Sequence, residues 1–242
     1  PLKLPQRLNV GLVKTYDEAT HDALRQLEAL GWGLSVTLLS PDDLRTSDLN
    51  RLHTIVLDIR ATQFRPELRH VKERLLKFMK DGGNVVCMYH KDFDWNDPEK
   101  DQSVRGAGIF RGRSGGGEIA PYPIELAFDR VTDETAPVKI LQPNHPLLSS
   151  PCKIWEKDFQ GWVQERGVYF PKAWDEHYTA LLSSNDVTEK PLDGGLLVAD
   201  VGEGSFIYCS YVLYRQLRAT VPGAYRLLAN LISYPRVKRG ER

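Results

Sequence analysis

The 242-residue chain carries no net charge, little cysteine and no long apolar run. Its 32 Lys and Arg balance 32 Asp and Glu, so no overall field attracts nucleic acid or an anionic membrane. Nowhere do about 18 apolar residues follow one another, as a helix that spans a bilayer requires. The sequence therefore predicts neither nucleic-acid binding nor a membrane span.

The first residues do not resemble a signal peptide, which combines a charged start, an apolar stretch and a small-residue cleavage site. The chain opens at Pro1 rather than Met, as expected of a processed product or an excised domain. The lack of a signal therefore does not define the compartment.

Cysteine and histidine are too few and too dispersed for a metal centre or a disulfide framework. Cys87, Cys152 and Cys209 lack metal-ligand spacing, and their odd number leaves at least one unpaired. The six histidines form none of the paired arrangements that bind zinc. Cys87 lies between Val86 and Met88 in a predicted strand, whereas a nucleophilic thiol needs a tight turn with small neighbours. We expect a buried structural thiol there, and neither a metal nor a cofactor.

Strand and helix patterns alternate over the first ninety residues. Strands are predicted at 8–14, 34–39, 54–60 and 84–89, with amphipathic helices at 16–30 and 66–80. This alternation predicts an α/β fold with a mostly parallel sheet covered by helices on both faces and right-handed crossovers.

The second half adds shorter elements. Short strands are predicted at 124–128 and 180–184, and the pattern over 222–233 predicts a closing helix. The strand-like runs 195–201 and 205–211 flank Gly202-Glu-Gly204, which predicts an antiparallel hairpin.

We predict one domain over 1–235, followed by a solvated tail over 236–242. The irregular segment 92–122 is interpreted as a long surface excursion, since it contains Arg111-Gly-Arg-Ser-Gly-Gly-Gly117. A phosphate-binding loop would need a preceding strand and a following Gly-Lys-Ser/Thr, so a flexible loop is favoured at the glycine run.

Polar residues follow the third and fourth predicted strands. Because ligands of such sheets bind at the carboxyl ends of the strands, Arg60 and Tyr89 are predicted ligand-binding residues. His90 is a candidate acid–base group, because the ordinary pKa of histidine lies near neutrality. The favoured alternative is that His90 only hydrogen-bonds the turn, as a lone histidine commonly does.

The segment Asp158 to Pro171 mixes carboxylates, glutamines and an arginine with aromatic residues, without the period of an amphipathic strand or helix. This mixture favours a surface that faces a ligand. The alternative, given equal weight, is a structural network in which the arginines pair with the carboxylates. The predicted ligand-binding residues of this segment are Asp158, Trp162, Gln164, Glu165 and Arg166, of which Asp158 and Glu165 are also candidate acid–base groups.

Further cations and aromatic rings complete the predicted site. Arg130 and Arg215 are candidates for holding carboxylates of a ligand or of the protein itself. Tyr169 and Trp174, together with Trp162, could offer apolar faces to sugar rings.

Five stretches together resemble the carboxyl-terminal domain of large bacterial PIG-L (LmbE-like) deacetylases. They are Leu8-Asn-Val-Gly-Leu-Val-Lys14, Arg130-Val-Thr-Asp-Glu134, Asn144-His-Pro-Leu-Leu148, the run from Asp158 to Phe170, and the run from Tyr214 to Asn230. The resemblance covers nearly the whole chain. It implies the class I glutamine amidotransferase-like fold, a flavodoxin-like three-layer α/β sandwich that ThuA-like proteins also use.

The resemblance also bears on function. In that family the zinc-dependent N-deacetylase chemistry belongs to an amino-terminal PIG-L domain, which this sequence does not include. Amidotransferases carry a Gly-x-Cys-x-Gly elbow and a later His-x-Glu pair, whereas this chain reads Cys87-Met-Tyr-His-Lys91 and has no His-x-Glu.

We therefore expect a non-catalytic accessory module of a secreted, extracytoplasmic deacetylase, which recognises a carbohydrate or packs on the PIG-L domain. The alternative is a hydrolase that acts on a sugar derivative with an acid–base site at the strand carboxyl ends.

Overall fold

A mixed sheet of eight strands forms the centre of the part of the chain that the structure describes. This computed structural model describes residues 1–97, 115–238 and 240. The sheet has the strand order β2-β1-β3-β4-β12-β11-β10-β7. Its strands are β1 (Leu8–Val13), β2 (Leu34–Leu38), β3 (Thr54–Leu57), β4 (Asn84–Met88), β7 (Val138–Ile140), β10 (Tyr178–Ser184), β11 (Leu192–Val201) and β12 (Gly204–Cys209).

The first five strands in this order, β2-β1-β3-β4-β12, are all parallel to one another. With β12 as the fifth parallel strand, the order is that of flavodoxin-like sheets. β3, β4 and β12 are buried along their whole length, as expected of strands covered on both faces. The predicted parallel sheet is thus confirmed.

An antiparallel extension continues the sheet beyond β12. β11 pairs with β12 in the predicted hairpin, and β10 and β7 follow in alternating direction. The hairpin turn contains Gly202 with a φ of 60°, a left-handed conformation that glycine adopts without steric cost. Two small two-stranded sheets lie outside the main one: β5 (Ile124–Leu126) with β9 (Pro171–Trp174), and β6 (Arg130–Val131) with β8 (Gly167–Val168).

Helices cover both faces of the sheet. α1 (Ala19–Ala29), α6 (Pro146–Ser149), α7 (Leu213–Arg218) and α8 (Pro222–Lys238) bury apolar residues in the core of one face. α2 (Pro41–Thr46), α3 (Ala61–Phe64), α4 (Lys72–Lys80) and α5 (Asp92–Trp95) belong to the opposite core. One core lies on each face of the sheet, so the sheet and the helices on its two faces form the three layers that were predicted.

Three predicted boundaries differ from the structure. The helix predicted over 66–80 is a 3₁₀ turn, Pro66–His70, followed by α4 from Lys72, because Val71 leaves the helical region at φ −114°. α8 does not end near 233 but continues to Lys238, so the predicted tail over 236–242 begins as helix.

The predicted surface excursion over 92–122 does not hold at its two ends. Trp95 is among the largest fully buried side chains, and Ile119 is buried in the same core. Trp95 Nε1 donates to the carbonyl of Ile124 over 2.9 Å, which ties the two ends together. The middle of the excursion, including 111–114 of the predicted glycine loop, lies outside the described residues.

Candidate functional site

The parallel strands of the sheet end along one edge, and the chain order reverses between β1 and β3. In flavodoxin-like sheets this reversal marks the place where ligands bind. Asp58, directly after β3, is fully buried there, and its carboxylate accepts hydrogen bonds from the hydroxyls of Thr15 and Thr20 at 3.1 and 2.9 Å. Burial raises the pKa of Asp58. This contact joins the loops that follow β1 and β3.

Beside this reversal, three cations and two tyrosines form what we call the strand-end cluster: Arg60, Tyr89, Lys91, Arg130 and Tyr169. The rings of Tyr89 and Tyr169 are stacked with centroids 6.4 Å apart. Lys91 Nζ and the guanidinium carbon of Arg130 each lie 5.9 Å from the centroid of the Tyr169 ring. The cluster therefore places two cations around one aromatic ring.

Backbone geometry at the cluster is unusual. Arg60 and Tyr169 both have a φ of 54°, in the left-handed region that non-glycine residues seldom occupy. Such strain persists where surrounding contacts enforce it, and it occurs often at functional sites. Arg60 is held by Asp94, which accepts from its Nε at 2.6 Å and its Nη2 at 3.1 Å, and by its own N–H, which donates to the carbonyl of Tyr89.

The electrostatics of the cluster are positive. Burial is the largest cause that lowers the pKa of Lys91, followed by the charge of Arg60; Arg130 lowers it further, whereas Asp94 and Asp92 oppose the shift. Neither Lys91 nor Arg130 forms a salt bridge within the part of the chain that the structure describes. The cluster can therefore accept negative charge.

Exposed aromatic side chains surround the cluster. Tyr16 and Phe64 contact each other at 4.7 Å, and the Arg60 guanidinium lies 5.2 Å from the Phe64 ring. On the other side Phe128, which is 64% exposed, lies beneath the Arg130 guanidinium at 4.9 Å and against Tyr169 at 5.4 Å. Large apolar surfaces exposed next to cations are typical of recognition sites.

His90 lies behind the cluster and is fully buried. Its Nε2 accepts from the Thr62 backbone N–H at 3.1 Å, and its Nδ1 lies 2.9 Å from the carbonyl of Met88, which can only accept. Burial lowers the pKa of His90 to about 4. Both ring nitrogens are thus used within the protein, which favours the alternative that this histidine serves the turn.

The thiol of Cys87 lies 3.7 Å from His90 Nδ1, yet the pair does not form a nucleophile and base. Cys87 sits inside β4 and is fully buried, and burial raises the pKa of its thiol well above the ordinary value. A thiol in this environment stays protonated at neutral pH. The expected structural thiol at this position agrees with the geometry.

The fold separates the residues of the segment Asp158 to Pro171, which was predicted to face a ligand. The end of this segment runs alongside the residues that follow β12, since Val168 N–H donates to the carbonyl of Ser210 at 3.1 Å, so this part does reach the strand-end edge. Glu165 forms a salt bridge with Arg215 at 2.8 Å, and Gln164 Oε1 accepts from the same guanidinium. Arg215 also contacts Tyr214, whose ring stacks on Tyr89 at 5.8 Å.

Three other residues of this segment, Asp158, Trp162 and Arg166, lie in the core on the α8 side. Asp158 accepts from Arg226 Nε at 2.8 Å, and Arg166 donates to the carbonyls of Ala136 and Phe159. Trp162 is only 3% exposed, so it cannot offer its face to a sugar ring as predicted. These three predicted ligand-binding residues instead form structural contacts, although Arg166 bonds carbonyls and not one of the carboxylates that the alternative interpretation expected.

The structure thus brings Arg60, Tyr89, Arg130, Gln164, Glu165 and Arg215 to one edge and leaves Asp158, Trp162, Arg166 and the ring of His90 elsewhere. Sequence analysis missed Tyr16, Phe64 and Phe128 as the aromatic rim. A signal existed for the first two, because Tyr16 follows the end of β1 and Phe64 lies one helical turn beyond Arg60. For Phe128, which follows the short β5, no sequence pattern indicates the contact.

Two further features lie outside the strand-end cluster. A cavity of about 680 Å³ opens between Trp95, Tyr122 and Trp174, and residues that flank the segment 98–114 form part of its wall. Among the described residues, the group of potential metal ligands is Glu18, His21 and Asp22 near the start of α1, where Glu18 already pairs with Lys14. Within the described residues, no helix is long and apolar enough to cross a bilayer.

Fold and strand order together define a flavodoxin-like α/β sandwich. A ThuA-like protein from Bacteroides uniformis ATCC 8492 has this fold, with a TM-score of 0.56 and 12% identity over 97% of this chain and 94% of that chain. A cytoplasmic protein from Salmonella typhimurium LT2 matches with a TM-score of 0.54 and 10% identity over 93% of this chain and 97% of that chain.

A β-galactosidase from Rahnella sp. R3 is also similar, with a TM-score of 0.51 and 16% identity over 92% of this chain. The match covers 31% of that enzyme, so the chain corresponds to about a third of its length. No family model and no curated protein matches the chain. At these identities the likenesses establish the fold alone.

Proposed function

We propose that this chain is a non-catalytic amidotransferase-like module that binds a carbohydrate at the carboxyl ends of its parallel strands. The observation that carries the proposal is the strand-end cluster with its exposed aromatic rim. Sugars are bound by aromatic faces that contact their C–H groups and by charged side chains that bond their hydroxyls. Phe128 supplies such a face, Arg130 supplies donors beside it, and Lys91 lies over the neighbouring Tyr169 ring.

The lack of catalysis is inferred from the environment of Cys87. An amidotransferase-type nucleophile must be exposed on a turn and must reach the thiolate state, whereas this thiol is inside a strand with a raised pKa. His90, with both nitrogens bonded inside the protein, is not positioned to take up its proton.

The accessory role follows from the resemblance to the carboxyl-terminal domain of PIG-L deacetylases. We propose that the chain packs on such a deacetylase domain outside the cytoplasm and brings a saccharide near it. The β-galactosidase likeness supports this role, because there the same fold occupies about a third of a longer enzyme.

The hydrolase alternative requires an acid and a base that converge on one ligand. Asp158 is bonded to Arg226, Glu165 to Arg215, and His90 to the backbone at positions 62 and 88. The three groups share no partner, so we do not adopt this alternative.

The test is calorimetric titration of the chain with a panel of neutral and acidic oligosaccharides. We expect binding that Phe128→Ala weakens about fivefold, since a lost aromatic contact costs about 1 kcal/mol. The matched control is Trp155→Ala, which removes another exposed aromatic far from the cluster. Absence of binding to every saccharide, or equal loss in the two variants, would refute the proposed site.

A further inference from the structure

The charges of the strand-end cluster do not balance. Two of the cations at this edge have carboxylate partners: Arg60 is bonded to Asp94, and Arg215 to Glu165. Lys91 and Arg130 are left without a carboxylate partner among the described residues. In a protein of zero net formal charge, two neighbouring unpaired cations are a local excess that costs free energy unless something neutralises it.

Arg130 carries a second, independent signal. Its Nε is buried, yet it has no hydrogen-bond acceptor in the described structure. Buried donors in folded proteins are nearly always satisfied, so one that is not calls for an explanation. The guanidinium lies over Phe128 and Tyr169 rather than against protein oxygen atoms, which leaves its hydrogen-bonding capacity available.

The two cations also lie around the same aromatic ring. Both lie at the same distance from the Tyr169 ring, and that ring is held by its left-handed backbone and by stacking on Tyr89. A guanidinium binds a carboxylate through two parallel hydrogen bonds, and an ammonium adds a compact charge from another direction. The arrangement therefore suits a small anionic group attached to something that covers Phe128.

We propose that the strand-end cluster selects a sugar that bears a carboxylate, with the carboxylate between Lys91 and Arg130 and the sugar ring over Phe128. This inference rests on the carbohydrate-binding function proposed above and names its ligand class. A carboxylate is favoured over a nucleic-acid phosphate because the cations are few and flanked by the carboxylates Asp94 and Asp92. An extended basic surface would be needed to follow a phosphate backbone.

The test uses matched pairs of sugars in low salt: glucose with glucuronic acid, galactose with galacturonic acid, and N-acetylglucosamine with N-acetylmuramic acid. We expect the acidic member of at least one pair to bind ten times more tightly or better. Lys91→Met and Arg130→Met, which keep much of the side-chain volume, should each remove most of this preference. Added salt should weaken acidic binding in the wild type and have less effect in the variants.

Lys153→Met is the control variant. Lys153 also lies over an exposed aromatic ring, 5.5 Å from Trp155, but its ammonium donates to the carbonyl of Pro143, which is not part of the strand-end cluster. It should leave the preference intact, and circular dichroism should show all three variants folded.

The outcomes separate the two proposals. Equal affinity for neutral and acidic sugars would overturn carboxylate selection while carbohydrate binding stands. If no sugar of any kind binds, both proposals fall. Tighter binding of glucose 6-phosphate than of glucuronic acid would show a phosphate site instead, and unchanged selectivity in both cation variants would place the carboxylate elsewhere.

Discussion

The imidazole at position 90 is enclosed completely, and its environment decides its protonation state. The Met88 carbonyl can only accept, so Nδ1 carries the proton and Nε2 accepts from the Thr62 N–H. A second proton would have to displace that N–H inside a fully buried site. Burial is accordingly the largest cause of the low pKa of about 4, ahead of the opposing attraction of Asp94.

This depressed pKa makes the stability of the fold depend on pH. The unfolded chain takes up the proton of His90 below its ordinary pKa of about 6.5, whereas the folded chain stays neutral until pH is near 4. The favourable contribution is therefore present above the unfolded pKa and lost as pH falls toward the folded one. Between pH 7 and pH 5 we expect this residue to lower the free energy of unfolding by about 2 kcal/mol.

Urea denaturation at the two pH values measures this effect. His90→Gln should remove most of it, because the glutamine amide can occupy both hydrogen-bonding positions without titrating. His70→Gln, at an exposed position of the 3₁₀ turn Pro66–His70, is the control and should keep the wild-type dependence. A His90→Gln protein with the same pH dependence as the wild type would show that His90 titrates normally.

At the scale of elements, α8 depends on one close backbone contact. Its second residue, Gly223, lies against the 3₁₀ turn Glu156–Phe159, where an added Cβ would stand 1.8 Å from the carbonyl oxygen of Asp158. The same turn is tied to α8 by the salt bridge between Asp158 and Arg226. No side chain can fit unless one element moves away from the other.

We therefore expect Gly223→Ala to lower the free energy of unfolding by about 3 kcal/mol, since overpacking against backbone cannot be relieved by a rotamer change. Alanine is the better helix former, so intrinsic preference alone predicts the opposite sign. Gly161→Ala is the control: its φ is +74° but nothing lies within 4 Å of the added Cβ, and we expect a loss of about 1 kcal/mol. Urea denaturation that finds Gly223→Ala as stable as the wild type would contradict this packing.

Elements that the sequence predicted well are those with strong local signals. β1, β3 and β4 are apolar runs buried on both faces, and the β11–β12 hairpin has a glycine turn, so each was found within a few residues. β6 and β8 have two residues each and exist only because they pair with each other, so no periodicity could reveal them. The order of strands in the sheet likewise depends on contacts distant in sequence.

The candidate site was predicted less well, because nearness in sequence is not nearness in space. Glu165 and Arg166 are adjacent, yet side chains of an extended chain alternate in direction. Glu165 therefore meets Arg215 at the edge, while Arg166 is buried against the carbonyls of Ala136 and Phe159. Arg60 and Tyr89 do lie at the strand ends, because a residue that directly follows a predicted strand must lie there, and their part in ligand binding stays a prediction.

At the scale of the whole molecule, the reactivity of the three cysteine thiols reports on unfolding of the core. Cys87, Cys152 and Cys209 are all free and buried, and burial raises the pKa of each thiol, to about 12 for Cys209. Cys87 and Cys209 lie in neighbouring central strands that cannot open separately from the sheet. Their exposure therefore requires unfolding of the core.

We expect the native protein at pH 7 to react with a chromogenic disulfide reagent at none of its three thiols within minutes, and at all three in concentrated urea. A slow native reaction should have the rate of global unfolding, because only the unfolded chain presents a thiolate. Val187→Cys, at a position that is 80% exposed, supplies the positive control and should add one rapid equivalent. Rapid labelling of Cys87 in the wild type would mean that its thiol is accessible as a nucleophile, and the proposed non-catalytic character would then be wrong.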